Sequence, residues 1–334
     1  RFTVYAGCDL IHLQTVVQTK KDARALLYHA GLTCDPTGKE VSWIGLDDKV
    51  HQIEATSRQA EPQKTRNRAI ALETKTGAVA VFPPPHRYFY PLDEAYNLGF
   101  TWFGNDFMDE VPGFGIGIRQ DLEGDRRWVP WSNAPPGTSQ ELGIFWLPSL
   151  DRGGKLFDRV KAYTHGDRFP AVPGHKTFSS HYHIEHATKL IDAREKRGKP
   201  VLPPTLKNPE FVEVFKESGI QIVHLAEFHN RLGRSRRDPD KALPLLETLH
   251  AECARLSDKG FLLLPGEEPN VHLGGHWISF FPSPVMWVLN RAKNKPFVEE
   301  HPQFGRVYHV GSPEDVLKLM ELEGGLMWAA HPDR

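Results

Sequence analysis

Short apolar runs, separated by turn-forming residues, fill the sequence from residue 1 to about residue 150. Many of these runs alternate apolar with polar positions, which is the period of a half-buried β-strand. The segments between them are rich in proline and glycine, as in Asp35-Pro36-Thr37-Gly38. This pattern predicts a β-sandwich or jelly-roll-like domain. The candidate strands are 3–6, 10–19, 41–46, 50–56, 69–74, 78–82, 87–90, 100–103, 115–119 and 141–147.

A connecting helix is predicted over residues 153–166, because Leu156, Val160 and Tyr163 recur at helical spacing. The run Pro170-Ala171-Val172-Pro173-Gly174 then interrupts the pattern. We place the domain boundary at this run. Residues 1–172 form the predicted β-rich, sandwich-like domain, and residues 173–334 form a second domain.

Strands and helices alternate after Lys176. Such alternation is typical of α/β sheets and of barrels built from βα units, in which functional side chains gather at the carboxyl ends of the strands. The fold class predicted for the whole chain is therefore α/β plus all-β. The candidate strands are 177–184, 221–228, 261–265, 276–281, 307–310 and 326–330, and the candidate helices are 185–197, 209–218, 239–258 and 313–323.

Composition and charge narrow the class of protein. The chain has 334 residues, of which 40% are hydrophobic and 25% are charged, as in a soluble globular protein. A net charge of −1 gives no electrostatic reason to expect nucleic acid or an acidic membrane as a partner. No run approaches the roughly 18 apolar residues of a membrane span. We expect a soluble protein, and composition leaves its compartment open.

Histidine and glutamate residues recur at the ends of the predicted strands. His181 and His183 stand two residues apart on one strand, which places both imidazoles on one face of the sheet. Glutamate and histidine follow further strands in the segments Glu227-Phe228-His229-Asn230 and Pro265-Gly266-Glu267-Glu268. His276 opens a strand, and His331 follows the last one. These segments are predicted to form the walls of one metal site.

Neutral imidazole and carboxylate are good ligands for Zn²⁺, Mn²⁺ or Fe²⁺, and a carboxylate such as that of Glu268 can bridge two ions. Such ions activate water and polarise a carbonyl or phosphoryl oxygen. The sequence contains neither GxSxG nor a Walker A motif, and Cys8, Cys34 and Cys253 lie in no nucleophile motif. Hydrolysis by metal-activated water is therefore the hypothesis for the reaction.

Five short motifs, in this order, resemble those of the polymerase-and-histidinol-phosphatase (PHP) superfamily of metallohydrolases. They are His181-Tyr182-His183, Glu227-Phe228-His229-Asn230, Pro265-Gly266-Glu267-Glu268, Gly275-His276 and Ala330-His331-Pro332. The upstream β domain and the segment Tyr163-Thr164-His165-Gly166-Asp167-Arg168-Phe169-Pro170 look most like the carbaryl-hydrolase branch, whose members cleave aryl carbamate esters. This branch is bacterial, so the resemblance implies a protein of the bacterial periplasm or cytoplasm.

The resemblance implies a distorted (βα) barrel in the second domain and a site for two or three divalent ions. It points to Glu268 rather than Glu267 as the bridging carboxylate. The metal ligands that it implies are His181, His183, His229, Glu268, His276 and His331, and Glu268, His276 and Glu227 are the candidate catalytic residues.

Two positions depart from the pattern of the family. The chain stops at Arg334, before the acidic residue and histidine that normally follow, so the barrel is expected to be incomplete at this end. A missing segment or a separate chain would then complete it, and a homo-oligomer is the other assembly left open. Asp333 stands where many members have histidine, so the resemblance supports a third ion less than the first two.

Three functions are compatible with the sequence. The first is hydrolysis of a small-molecule ester-type substrate, an aryl carbamate or a carboxylic ester. The second is phosphoester hydrolysis, for which Arg231, Arg234, Arg236 and Arg237 could bind phosphate oxygens. The third is carbohydrate binding without catalysis, with a degenerate barrel as scaffold. The retained histidines and Glu268 favour an enzyme over the third function.

Overall fold

The chain divides into two units, Arg1–Pro170 and Ala171–Arg334. The computed structural model describes residues 1–86, 100–119, 132–197, 204–227, 238–268 and 272–330. The predicted strand 87–90 lies outside these residues. None of the helices within these ranges is both long and apolar enough to cross a membrane.

Two antiparallel sheets form the layers of the first unit in its described residues. The larger has the spatial order β1 (Phe2–Val4), β2 (Ile11–Gln18), β13 (Ser139–Ser149), β9 (Ala78–Phe82), β8 (Ile70–Glu73), β5 (Glu40–Ile44) and β6 (Val50–Glu54). The smaller has the order β4 (Ala30–Thr33), β11 (Val111–Ile118), β10 (Phe100–Phe107) and β7 (Glu61–Lys64). A short pair joins β3 (Ala25–Leu26) to β12 (Ser132–Asn133).

The central strands of the larger sheet are buried on both faces. Ile70 and Val81 point into a core shared with Ile116 of the smaller sheet. Their neighbours Ala71 and Ala80 point to the other face, against helix α1 (Gly154–Thr164). Alanine on that face lets the helix approach closely and bury Leu156, Phe157 and Val160. The unit is therefore a sandwich with a helix on one outer face.

A buried ion pair joins the end of α1 to the sheet region. Arg68, in the 3₁₀ turn Arg66–Arg68, donates from Nε to Asp167 Oδ2 at 2.9 Å and from Nη2 to Oδ1 at 2.5 Å. Both side chains are less than 5% exposed. Asp167 belongs to the 3₁₀ turn His165–Asp167 that follows α1. The pair thus connects segments far apart in sequence through two charge-assisted hydrogen bonds.

In its described residues, the second unit has a mixed sheet and a smaller one. The mixed sheet has the order β14 (Phe178–Tyr182), β15 (Ile222–Ala226), β16 (Leu262–Glu267), β17 (Trp277–Phe280) and β21 (Leu326–Ala329). The smaller sheet has the order β18 (Met286–Val288), β20 (Gly305–His309) and β19 (Val298–His301). The helices are α2 (His186–Arg197), α3 (Pro204–Lys207), α4 (Glu210–Glu217), α5 (Pro239–Leu256) and α6 (Pro313–Glu323).

The predicted fold class, with a distorted (βα) barrel as the second domain, is wrong. Strands β14, β15 and β16 run parallel, but β17 pairs antiparallel to β16, and β21 pairs antiparallel to β17. Residues 268–276, between β16 and β17, are fewer than the dozen or so that a parallel crossover needs. The following strand, β18, joins the other sheet. Within the described residues, the result is an open mixed sheet with β14 and β21 at its edges.

We predict that Asp167→Ala lowers the free energy of unfolding by about 3–5 kcal/mol, because it leaves the buried guanidinium of Arg68 without its carboxylate. Urea denaturation followed by tryptophan fluorescence measures the change. The control is Asp47→Ala, which removes a solvent-exposed contact with His51 and should leave the denaturation midpoint close to that of wild type. Equal losses in the two variants would show that the buried pair stabilises the fold no more than the exposed contact does.

Candidate metal centre

The carboxyl ends of the three parallel strands of the second unit meet at one edge of the sheet, which is where ligands bind in open α/β sheets. His181 and His183 lie at the end of β14, and Glu268 directly follows β16. One potential ligand atom from each of these three residues lies within 4.8 Å of the others. Among the described residues, these three form a group with the donors of a metal site.

A single carboxylate oxygen lies at the centre of this group. Glu268 Oε2 is 2.7 Å from His181 Nε2 and also 2.7 Å from His183 Nε2. The centroids of the two imidazole rings are 4.7 Å apart, and the ring planes are inclined at 82°. The other oxygen, Oε1, lies 3.1 Å from His276 Nδ1. Glu268 therefore contacts three histidines with two oxygens.

A bulge at the end of β14 sets the direction of the first imidazole. Ser179 pairs with Val223 and Tyr182 pairs with Leu225, so β14 carries one more residue than β15 between these pairs. His181, within the bulge, has a left-handed backbone with φ +67°. Such a conformation is costly for a residue with a Cβ and is common at functional sites.

The residue between the two histidines belongs to the hydrophobic core. Tyr182 is buried, and its ring packs edge-on against Phe215 of α4 at 4.8 Å. It also contacts Phe211 at 5.7 Å between ring centroids. Tyr182 therefore packs in the hydrophobic core, whereas the imidazoles on either side of it contact Glu268.

The hydrogen bonds of His183 explain why this geometry suits a cation. Its Nδ1 donates to the backbone carbonyl of Ala226 at 2.5 Å, so that nitrogen carries the proton of the neutral ring. In the neutral form of the ring, which is the form that binds a metal ion, Nε2 presents a lone pair to Glu268 Oε2. Two acceptors 2.7 Å apart repel each other unless a proton or a cation neutralises them. Metal-binding histidines commonly donate from their other nitrogen to such a carbonyl, so these residues fit a divalent ion.

The carboxyl of Glu268 is held in its charged form. Burial alone would raise its pKa, but when the rings of His181 and His183 are protonated, their hydrogen bonds and positive charge outweigh that effect and hold the pKa well below its usual range. An ionised carboxylate is the form that binds a metal ion.

The adjacent Glu267 occupies a different environment. Its side chain is 2% exposed, and burial raises its pKa well above the usual range, although a hydrogen bond with Trp287 opposes the shift. Neighbouring residues at the end of a strand point in opposite directions, which sends Glu267 into the core and Glu268 to the histidines.

Glu227, one of the predicted catalytic residues, binds the first turn of α2. Its two carboxylate oxygens accept hydrogen bonds from the backbone N–H groups of His186 and Ala187, the second at 2.8 Å. Burial raises its pKa, and these two hydrogen bonds act against the rise. In the described part of the chain, Glu227 is not a member of the group of ligand atoms around Glu268. Its catalytic role stays a prediction.

Of the other predicted ligands, one lies within the described residues and two lie outside them. His276 contacts Glu268, and its side chain is half exposed. His229 and His331 lie outside the described residues, as do Asn230, Asp333 and the arginines 231, 234, 236 and 237. A second or third ion, which would need His229 or His331, therefore stays a prediction.

His224 is a contributor that the sequence analysis missed. It lies in the middle of β15, is 0% exposed, and accepts a hydrogen bond at Nδ1 from the backbone N–H of His181 at 3.4 Å. Desolvation lowers its pKa to about 4, so the ring is neutral. The available signal was a lone histidine within the otherwise apolar run Ile222-Val223-His224-Leu225-Ala226.

Comparisons with known proteins leave the family open. No protein-family model matches the sequence, and no curated protein matches it. One solved structure with a weak likeness is a galactose mutarotase related enzyme from Lactobacillus acidophilus, with a TM-score of 0.26 and 14% identity over 46% of this chain and 61% of that one. Another is a TPR-domain containing protein from Parabacteroides distasonis, with a TM-score of 0.28 and 12% identity over 76% of this chain and 48% of that one.

The chain spans less than two thirds of the length of either of these structures. TM-scores of this size carry no argument about fold or activity. The resemblance to PHP metallohydrolases therefore stays a hypothesis drawn from sequence motifs.

We predict that Glu227→Ala lowers the free energy of unfolding by about 1–3 kcal/mol, because two buried N–H groups at the start of α2 lose their carboxyl acceptor. Urea denaturation measures the loss. Glu247→Ala, at an exposed position of α5, is the control and should change the value by less than about 0.5 kcal/mol. Indistinguishable denaturation midpoints would contradict the capping role.

Proposed function

We propose that this chain is a metal-dependent hydrolase that holds a divalent ion with His181, His183 and Glu268 and cleaves an ester-type bond. The preferred substrate class is an aryl carbamate or a carboxylic ester. The observation that carries the proposal is the contact of one carboxylate oxygen with two imidazole nitrogens, each at 2.7 Å. The barrel expected from the sequence is not part of the proposal.

The donor set supports Zn²⁺, Mn²⁺ or Fe²⁺ as the ion. Two imidazole nitrogens and a carboxylate oxygen are the ligands that these ions share. The ion would supply activation of water and polarisation of the substrate's carbonyl oxygen. Glu268 brings the negative charge, and the bond from His183 Nδ1 to Ala226 keeps the Nε2 lone pair directed at the site.

His276 is the residue best placed to move a proton. Its Nδ1 lies 3.1 Å from Glu268 Oε1, and its side chain is 49% exposed, so the ring lies between the carboxylate and solvent. Imidazole exchanges protons readily near neutral pH. In the proposed reaction, His276 donates a proton to the oxygen of the leaving alcohol, and Glu268 holds the ring in place.

The choice of an aryl ester rests on sequence resemblance. The upstream β domain and the segment Tyr163-Thr164-His165-Gly166-Asp167-Arg168-Phe169-Pro170 resemble the carbaryl-hydrolase branch, whose members cleave aryl carbamate esters.

The first test measures metal binding. We expect the wild-type chain to bind at least one Zn²⁺, and Zn²⁺ at 100 times its Kd to raise the free energy of unfolding by about 2.7 kcal/mol. The double variant His181→Ala/His183→Ala should lose this shift, because it lacks two ligands. His175→Ala/His301→Ala removes two histidines of the same unit that are not members of the group, and it should keep the shift. Calorimetric titration and metal analysis provide the measurements. A wild-type chain that binds no Zn²⁺, Mn²⁺ or Fe²⁺ would refute the proposal.

The second test measures hydrolysis by the metal-loaded chain. We expect turnover of an aryl N-methylcarbamate and of p-nitrophenyl acetate, with kcat/KM at least about 100-fold lower in His181→Ala/His183→Ala. The His175→Ala/His301→Ala variant should stay close to wild type. Turnover of p-nitrophenyl phosphate alone would replace the ester assignment with phosphoester hydrolysis. Equal activity in the two double variants would mean that another site is responsible.

A further inference from the structure

His224 is a fully buried histidine that joins the two parts of the sheet around the candidate site. Its Nδ1 accepts from the His181 N–H, and its Nε2 donates to the backbone carbonyl of Ser279 on β17 at 3.3 Å. The aromatic rings of Phe280 and Trp328 lie beside it, at 5.6 and 6.3 Å between centroids. Both ring nitrogens are thus used, and the tautomer is fixed with the proton on Nε2.

The bond to His181 falls at the point where the regular ladder is interrupted. The bulge lies between the pairs formed by Ser179 and Tyr182, so the N–H of His181 is out of register with β15. This N–H is partly buried, so it gains from an acceptor, and the left-handed backbone of His181 adds strain. The side chain of His224 supplies an acceptor for this N–H at the interruption of the ladder.

The neighbouring strand leaves space for this ring. A Cβ on Gly266 of β16 would lie 1.8 Å from His224 Nε2 and 2.5 Å from the carbonyl oxygen of Ser279. Only glycine accommodates both groups without displacement. Gly266, two residues before Glu268 in the Pro265-Gly266-Glu267-Glu268 sequence, therefore leaves the space that the His224 ring occupies.

We propose that His224 is a positioning residue for the metal centre: it holds the backbone of His181 in the bulge and so directs His181 Nε2 towards Glu268. This inference rests on the proposed metal site. His224 acts through His181 and is not itself a ligand. Partners that orient metal ligands commonly change metal affinity by about 10–100-fold when they are lost.

Two variants separate the contact with His181 from the other contacts of the ring. In His224→Asn, the amide oxygen takes the place of Nδ1 and still accepts from His181, whereas the bond to Ser279 is lost. His224→Leu loses both bonds. His250→Leu, at another largely desolvated histidine of the same unit, is the control for filling such a position with leucine.

The experiment measures the Zn²⁺ affinity of the full chain by competition with a chelator, together with hydrogen exchange of the His181 amide in the metal-free protein. We expect His224→Leu to bind Zn²⁺ at least about 10-fold more weakly than wild type, and His224→Asn to stay within about threefold. The His181 amide should exchange faster in His224→Leu than in His224→Asn. The His250→Leu variant should keep wild-type Zn²⁺ affinity.

Each outcome supports or overturns a distinct claim. A wild-type chain without Zn²⁺ affinity overturns the proposed function and, with it, the positioning role. Wild-type affinity in His224→Leu, or equal loss in both His224 variants, overturns the positioning role alone. If the variants do not fold, the wild-type exchange decides the question, because a His181 amide that exchanges at the rate of an unfolded chain has no acceptor in His224.

Discussion

The candidate centre depends on one constraint, which is that two imidazole nitrogens approach the same carboxylate oxygen of Glu268 at 2.7 Å. That arrangement needs the end of β14 to deviate from a regular strand, since His181 lies in a bulge with a left-handed backbone. It also needs the side chain of Glu268, which directly follows β16, to reach the same histidines. The sheet meets both needs at its carboxyl edge, where the strands end and side chains are no longer required for the core.

The local elements were largely predictable because their signals are local. Helix α6 begins and ends where the sequence analysis placed it, since Ser312 caps it by accepting from the Asp315 N–H at 3.2 Å and Gly324 ends it with φ +63°. Strand β9 was also predicted with its observed bounds. Strand β7, Glu61–Lys64, was missed because it has no apolar alternation and is a strand only through its pairing with β10.

The barrel prediction failed because strand direction is not a local property. The sequence of β17 resembles that of a parallel strand, being a short apolar run after a turn. Whether it returns antiparallel depends on the length of the connection from β16 and on the partner available at the sheet edge. The same limit applies to β18 and β20, which pair in a separate sheet. Alternation of strands and helices along the sequence does not determine whether the strands pair parallel or antiparallel, or in how many sheets.

Some residues of the candidate centre were predictable from the sequence, and others were not. The spacing of His181 and His183 identified both as candidate ligands. Their side chains do not converge through the regular alternation of a strand, however, because a bulge interrupts β14 at His181. Glu268 and Glu267 are adjacent and chemically identical, and only their surroundings separate a charged carboxylate among histidines from a buried one beside Trp287. His224 and Glu227 were harder still, because each acts on the backbone of a neighbouring segment. A sequence pattern thus reveals groups that share a strand, whereas the groups that hold them in place become visible only when the strands are paired.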